Sequence, residues 1–183
     1  MTQKNPAATQ AQQAQQQDQQ AQALLHTLLV ELFQTEESYV QQCRREAARN
    51  TDPGLATPVA AMVAAAGIAE SSLARLRELA TARGIESTEK GKLLGALFSS
   101  IREHIADRAI NSERSWRLTV MGMRHGIDVL SSVREVARTT GDAELVAYCD
   151  DTHRQLKPLV DDAATACAWF ARHPAQAMET ATS

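Results

Sequence analysis

The sequence predicts an all-α protein built from four long helices and one short helix, and two observations lead to this prediction. Helix-forming residues dominate the 183-residue chain, whereas aromatic residues make up only 4% of it, so strands are disfavoured. Apolar residues also recur at three- and four-residue intervals, the spacing of one buried helical face. The length suits a single domain with its own core.

The first two long helices are predicted over residues 21–48 and 57–83. The turn-forming cluster at residues 50–54 separates them, and Gly84 ends the second. Each helix has an apolar stripe along one side, so both are expected to pack against other helices.

A shorter helix is predicted over residues 88–109, and Asn111 then offers an N-cap for the third long helix. Gly141 and Asp142 are a stop followed by a cap for the fourth, which Pro158 is expected to kink or break. In this order the short helix is a crossover that lets the second and third long helices run parallel. Such a connection is typical of ferritin-like four-helix bundles.

The bundle domain is therefore expected over residues 21–173, with a tail at each end. Residues 1–20 are rich in Gln and Ala and contain almost no large apolar side chain, so a disordered tail is predicted there. A coiled-coil extension is the alternative interpretation of residues 1–20, but it would need apolar residues at the a and d positions, and these are absent. Residues 174–183 are predicted to be a disordered C-terminal tail.

Composition and charge narrow the class of partner. The net charge of −3 gives no basic face for nucleic acid or for an anionic membrane. No apolar stretch approaches the roughly 18 residues of a membrane span, and the start of the chain does not follow the signal-peptide pattern. Three cysteines without zinc spacing favour free thiols and a reducing cytoplasm. We expect a cytoplasmic protein that binds neither nucleic acid nor membrane.

Polar side chains that interrupt the apolar stripes near the middle of the helices are the candidate metal ligands. Ferritin-like carboxylate proteins place Glu residues and Glu-x-x-His pairs inside the bundle, so iron or manganese is the metal such a site would hold. The candidates come from all four long helices: Glu36, Glu70, His125, Asp128, Asp150 and His153.

Glu36 is the clearest of these candidates, because the seam of the first helix requires an apolar side chain at its position. A buried carboxylate is costly without a partner, so it needs a metal or a cation such as Arg75, Arg77 or Arg124. A third explanation places Glu36 at the boundary of the core. The other candidates also have ordinary explanations, as boundary residues or as a hydrogen-bonded core histidine.

Residues 28–36, Leu-Leu-Val-Glu-Leu-Phe-Gln-Thr-Glu, resemble the first helix of the YciE/YciF-like stress proteins, a ferritin-like bacterial family. Arg124-His125 is similar to a Glu-His pair of that family. The stretch from Val133 to Asp151, with its turn at residues 137–144, is similar to the family's link between the last two helices. Glu70-Ser71 resembles its Glu-Thr in the second helix. The resemblance covers most of residues 24–165.

This resemblance implies a ferritin-like fold and a homodimer. Two departures from the family pattern concern the metal: Arg124 replaces a carboxylate, and residues 155–157 replace acidic residues. The family's His before the glutamate of the second helix is also missing. The resemblance therefore implies a metal site that is partly or wholly lost.

Three functions remain at this point, and the second is favoured. The first is a metal-binding stress or storage protein. The second is a non-catalytic bundle with a degenerate metal site, which binds a protein partner and in which Arg124 neutralises Glu36. The third is a small-ligand binder whose cavity would be lined by Trp116, Trp169, Met121 and Met123. The sequence contains no phosphate-binding loop, GxSxG elbow or HExxH motif that would predict an enzyme.

Overall fold

The computed structural model describes residues 6–50, 58–85 and 110–180. Within these ranges the chain is helical, and a single isolated bridge between Asn111 and Thr180 is the only extended pairing. The all-α prediction is confirmed for this part of the chain. The predicted short helix at residues 88–109 and most of the predicted turn at residues 50–54 lie outside the described residues.

Four long helices and two short ones make up the described structure. Their bounds are α1 Pro6–Arg49, α2 Val59–Ala82, α3 Ser112–Thr139, α4 Ala143–Thr165, α5 Cys167–Arg172 and α6 Pro174–Met178.

Both predicted N-caps are confirmed. The side chain of Asn111 accepts a hydrogen bond from the backbone N–H of Arg114 at 2.9 Å, and that of Asp142 accepts one from Leu145 at 3.1 Å. Gly141 adopts a φ of +74°, which favours glycine and ends α3. Local sequence therefore fixes the beginning of α3 and the turn into α4.

The two ends of the described chain differ from the predicted tails. The first helix begins at Pro6 and not near residue 21, because Gln and Ala are good helix formers and can extend a helix already held by packing. Side chains 12–20 remain exposed. At the other end α6 forms within the predicted C-terminal tail, and the Glu179 carbonyl accepts a hydrogen bond from the Ser112 N–H at 2.8 Å.

The interruption of the last long helix also differs from the prediction. α4 continues through Pro158, and the break occurs at Ala166 instead. Proline removes the hydrogen bond to the carbonyl four residues earlier, which belongs to Arg154. Both residues are exposed, so water can take the place of the missing N–H and the helix tolerates the proline.

Contacts between side chains give the direction of each helix. Glu37 pairs with Arg77 of α2, and Arg44, further along α1, pairs with the earlier Glu70. Glu31 pairs with His125 of α3, and the later Arg49 binds the earlier Ser115. α1 is therefore antiparallel to both α2 and α3. α4 is antiparallel to the same two helices.

The beginning of α4 contacts the C-terminal ends of α2 and α3. Asp142, its N-cap, binds Arg83 at 2.7 Å, and Asp150 binds Arg134 at 3.2 Å. Its later residues Thr152 and Ala163 contact Ser72 and Trp116, which come earlier in those two helices. α2 and α3 are therefore parallel and diagonally opposite, as the predicted helix order requires. Residues 85 and 110 consequently lie at opposite ends of the bundle.

The core consists of two apolar clusters, one above the other. The first includes Leu29, Leu76, Val133 and Leu145, and the second includes Met62, Trp116, Leu156 and Phe170. Every long helix contributes to both clusters. Between them each helix places a residue that is polar or lacks a side chain, and this boundary is the position of the candidate site: Glu36, Ser72, Gly126 and Thr152.

A polar layer at the centre of the bundle

The layer that separates the two apolar clusters contains the only buried carboxylate near mid-bundle among the described residues. We define this polar layer as Glu36, Ser72 and Thr152 with the phenol groups of Tyr39 and Tyr148. All five residues are buried. At Gly126 a Cβ atom would lie 3.3 Å from Cγ2 of Thr35, so the glycine lets α3 approach α1 closely beside the layer.

Glu36 lies in this layer without a compensating charge. Its side chain is 3% exposed, and Oε2 has no hydrogen-bond partner. Burial raises the pKa of Glu36 from 4.5 to about 7, and no nearby cation opposes this effect. The carboxyl group is therefore largely protonated below neutral pH.

Hydroxyl groups make up the rest of the layer. Ser72 Oγ lies 2.7 Å from the Tyr148 hydroxyl and 3.3 Å from that of Thr152, which links α2 to α4. The Tyr39 hydroxyl, one helical turn from Glu36 on α1, is buried without a hydrogen-bond partner. Burial raises the pKa of Tyr148, and the charge of Glu36 raises it further. Ionisation of Glu36 on α1 therefore affects the phenol group of Tyr148 on α4.

The candidate metal ligands do not gather around Glu36. Glu70 is exposed and pairs with Arg44 on the surface. His125 Nε2 lies 3.2 Å from Glu31 Oε1, where α1 and α3 meet. Neither residue shares the environment of Glu36.

The remaining candidates are also dispersed. Asp128 is exposed, and His153 is half-buried on α4. Asp150 binds Arg134 at 3.2 Å. Across residues 6–50, 58–85 and 110–180, no group of three His, Cys, Asp or Glu side chains is arranged to hold a metal ion. Hydroxyl groups and one carboxyl group are a poor match for iron or manganese, which favour several carboxylates and an imidazole.

The proposed arginine partners of Glu36 are placed elsewhere as well. Arg124 and Arg75 are exposed, and Arg77 binds Glu37 at 3.1 Å while its guanidinium lies over the Phe33 ring. The expectation that Arg124 neutralises Glu36 is therefore wrong. Helical spacing put both residues near mid-helix, but the rotation of α3 directs Arg124 outward.

Replacing Arg124 with leucine tests this correction. Because the side chain is exposed and no buried charge depends on it, we expect the free energy of unfolding to change by less than about 0.5 kcal/mol. Urea denaturation of both proteins measures the difference. A loss of several kcal/mol would show that Arg124 does compensate a buried carboxylate.

A second buried carboxylate, Glu46, was not identified from the sequence. It accepts hydrogen bonds from Ser115 and from Arg49, the latter at 3.3 Å, and Asn50 donates to it at 3.5 Å. Burial raises its pKa, and these partners oppose the rise. The signal was present, since Glu46 continues the seam of Tyr39 and Cys43. Its satisfied network marks it as a structural link between α1 and α3.

Three of the four residues of the predicted ligand cavity, including Trp169, are packed into the second apolar cluster, and the fourth is on the surface. Trp116 and Met123 are buried in the second apolar cluster, whereas Met121 is 53% exposed on the surface. Trp169 packs edge-on against Phe170 and stacks on His173. These side chains act as core and surface residues and do not line a common site.

No protein-family model, curated protein or solved structure matches this chain. The resemblance to the YciE/YciF-like family accordingly stays a prediction.

Proposed function

We propose that this protein is a non-catalytic, ferritin-like bundle that acts by binding a protein partner, and that its polar layer is the remnant of a metal centre. The observation that carries the proposal is the isolation of Glu36. It holds the position of a bundle carboxylate, yet the groups around it are hydroxyls and phenols.

The helix arrangement supports the ferritin-like part of this proposal. In the ferritin-like bundle a long connection joins two parallel helices, and this makes its chain order different from a simple up-and-down bundle. Here α2 and α3 are parallel and diagonal, and α1 neighbours both of them.

The dispersal of the other candidate ligands supports the loss of the metal. Glu70, His125 and Asp150 each have a protein partner of opposite charge or of hydrogen-bonding character outside the layer. To bind one metal with Glu36 they would have to exchange these partners and move into the core. Raising the pKa of Glu36 to about 7 is the alternative way to accommodate a lone carboxyl group.

The partner-binding role follows from what the bundle offers chemically. The described residues contain no arranged nucleophile, base and electrophile that would support a reaction. The partner implied by the family resemblance is a second copy of the chain, in a cytoplasmic stress-related role. Light scattering coupled to size-exclusion chromatography measures the oligomeric state, and a dimer is the expected result.

Metal loading separates this proposal from its alternative, a working di-metal protein with iron or manganese. We expect protein that is incubated anaerobically with Fe²⁺ or Mn²⁺ to retain much less than one metal ion per chain by mass spectrometry. Its denaturation midpoint should not move, because only a ligand that binds the native state stabilises it. Glu36→Leu is the control. Stoichiometric metal in the unsubstituted chain, lost in that variant, would favour the alternative.

A further inference from the structure

The outer face of α2 is apolar over its first half and open to solvent. Between Val59 and Ala69 the helix carries no charged residue, and Val63 is 57% exposed. Contrary to the expectation that no stretch approaches a membrane span, α2 is long and apolar enough to cross a membrane by length and composition alone, and only 39% of its most apolar 18-residue stretch is buried. The outer faces of α1, α3 and α4 carry exposed charged side chains, such as Arg44, Arg117 and Lys157, so α2 differs from the other three long helices.

The same face consists mostly of small residues at alternating intervals of four and three. Its exposed members are Ala60, Ala64, Gly67, Ser71 and Ala74. A Cβ atom at Gly67 would meet nothing within 4 Å, so no contact among the described residues explains a glycine that costs roughly 1 kcal/mol in mid-helix. Ser71 already donates its hydroxyl hydrogen to the Gly67 carbonyl at 3.1 Å and can be covered without losing that bond. A row of small residues provides holes for larger side chains.

The course of the chain identifies what can cover this face. Residue 85 follows the end of α2, whereas residue 110 lies at the other end of the bundle, so the 24 residues between them join its two opposite ends. α2 has 24 residues and spans about 36 Å, and the predicted 22-residue helix at 88–109 would span about 33 Å. These residues are outside the described ranges, but their sequence has large apolar side chains at helical spacing: Leu94, Leu97, Ile101 and Ile105.

We propose that the outer face of α2 is the docking surface for residues 94–105 of the same chain, which would lie on it as an antiparallel helix. One alignment places all four of these large apolar residues opposite the α2 face. Placing Ile101 opposite Gly67 puts Leu94 opposite Ala74, Leu97 opposite Ser71 and Ile105 opposite Val63. The same alignment brings Lys90 beside Glu78. Three of the four large side chains thus meet small ones, Ile105 meets the apolar Val63, and opposite charges meet at the polar end.

Chemical cross-linking tests this docking. In a Cys167→Ser background, whose two other cysteines are buried, Ser71→Cys is combined with Ser100→Cys, on the flank of the docking segment. The matched control combines Ser100→Cys with Ser132→Cys. Like Ser71, Ser132 is exposed and donates its hydroxyl hydrogen to the carbonyl four residues earlier, at 3.0 Å. A short bis-maleimide should link the first pair within one chain about tenfold faster than the control, because docking raises the effective concentration.

Equal rates for the two pairs would overturn the proposal. So would interchain dimers formed by the Ser71→Cys variant alone, because a second copy would then cover the α2 face. A stability comparison adds an independent readout: Val63→Asp should lower the urea midpoint, whereas Met121→Asp, at a position of similar exposure on α3, should leave it nearly unchanged. Equal shifts in the two variants would also contradict the docking.

Discussion

Replacing Glu36 with glutamine is expected to make the protein more stable than the unsubstituted chain at alkaline pH and to change little at pH 4. At pH 4 the carboxyl group is protonated in both the folded and the unfolded state, so the amide replaces a neutral group of similar shape. At pH 8 the unfolded state contains an ionised Glu36 that water solvates, whereas the folded state must bury the charge or hold the proton. The glutamine amide does not ionise, so the variant neither buries a charge nor has to hold a proton in the folded state.

The sign follows from the two pKa values. The pKa of Glu36 is about 7 in the folded state and 4.5 when unperturbed, so the folded state binds the proton more tightly. Between about pH 4.5 and pH 7 the unfolded state loses its proton first, and the free energy of unfolding falls as the pH rises. Integrated over this window, the loss is about 3 kcal/mol, and it is complete above pH 7.

Urea denaturation of the two proteins from pH 4 to pH 8 measures this effect. Their difference isolates Glu36, because other buried acids, including Glu46 with its raised pKa, are common to both. Glu36→Leu should exceed glutamine in stability at every pH, since it buries no polar group. If the difference between the unsubstituted chain and Glu36→Gln stays constant with pH, the carboxyl group is either ionised throughout or solvent-accessible.

The position of Glu36 was predictable because a carboxylate on an apolar seam is conspicuous. The beginnings of α3 and α4 were predictable for a similar reason, since Asn111 and Asp142 each cap a helix through local hydrogen bonds. These features depend on residues close together in the sequence. Helical periodicity describes them well.

The surroundings of Glu36 depend on features that periodicity does not contain. A stripe gives the face of a helix, but the rotation and depth of its neighbours decide which side chains meet. Glu70 and Arg124 appeared close to the core by spacing, and both are exposed. Ser72 and Thr152 could not be predicted as members of the layer, because a single hydroxyl on a helix face does not show which residue of another helix it contacts.

The helix at the start of the chain shows a related limit. Residues 1–20 contain too few large apolar side chains to form a core, and disorder was the expected consequence. The Gln/Ala composition that prevents a core also favours helix, and the packed part of α1 provides the nucleus from which the helix extends to Pro6. The same composition thus predicts little burial, but it does not exclude a helix.

Replacing Trp116 with alanine is expected to lower the free energy of unfolding by about 3–5 kcal/mol, the cost of removing a large aromatic side chain from a core. Trp116 is fully buried and lies near the beginning of α3. Its indole N–H donates to the Ala163 carbonyl of α4 at 2.8 Å, and its ring lies 5.8 Å from that of Phe170 on α5. The Trp116 side chain thus connects α3, α4 and α5 close to Ala166, where α4 ends and α5 begins.

Two further variants separate packing from hydrogen bonding in this effect. Trp116→Phe retains an aromatic ring but removes the donor to Ala163, so a smaller loss of about 1–3 kcal/mol is expected. Met121→Ala, at an exposed position five residues further along α3, should change stability by less than about 0.5 kcal/mol. Urea denaturation should give unchanged slopes and shifted midpoints if the native structure is kept. A loss below about 1 kcal/mol for Trp116→Ala would mean that the second apolar cluster does not depend on this residue, and that the break at Ala166 is held by other contacts.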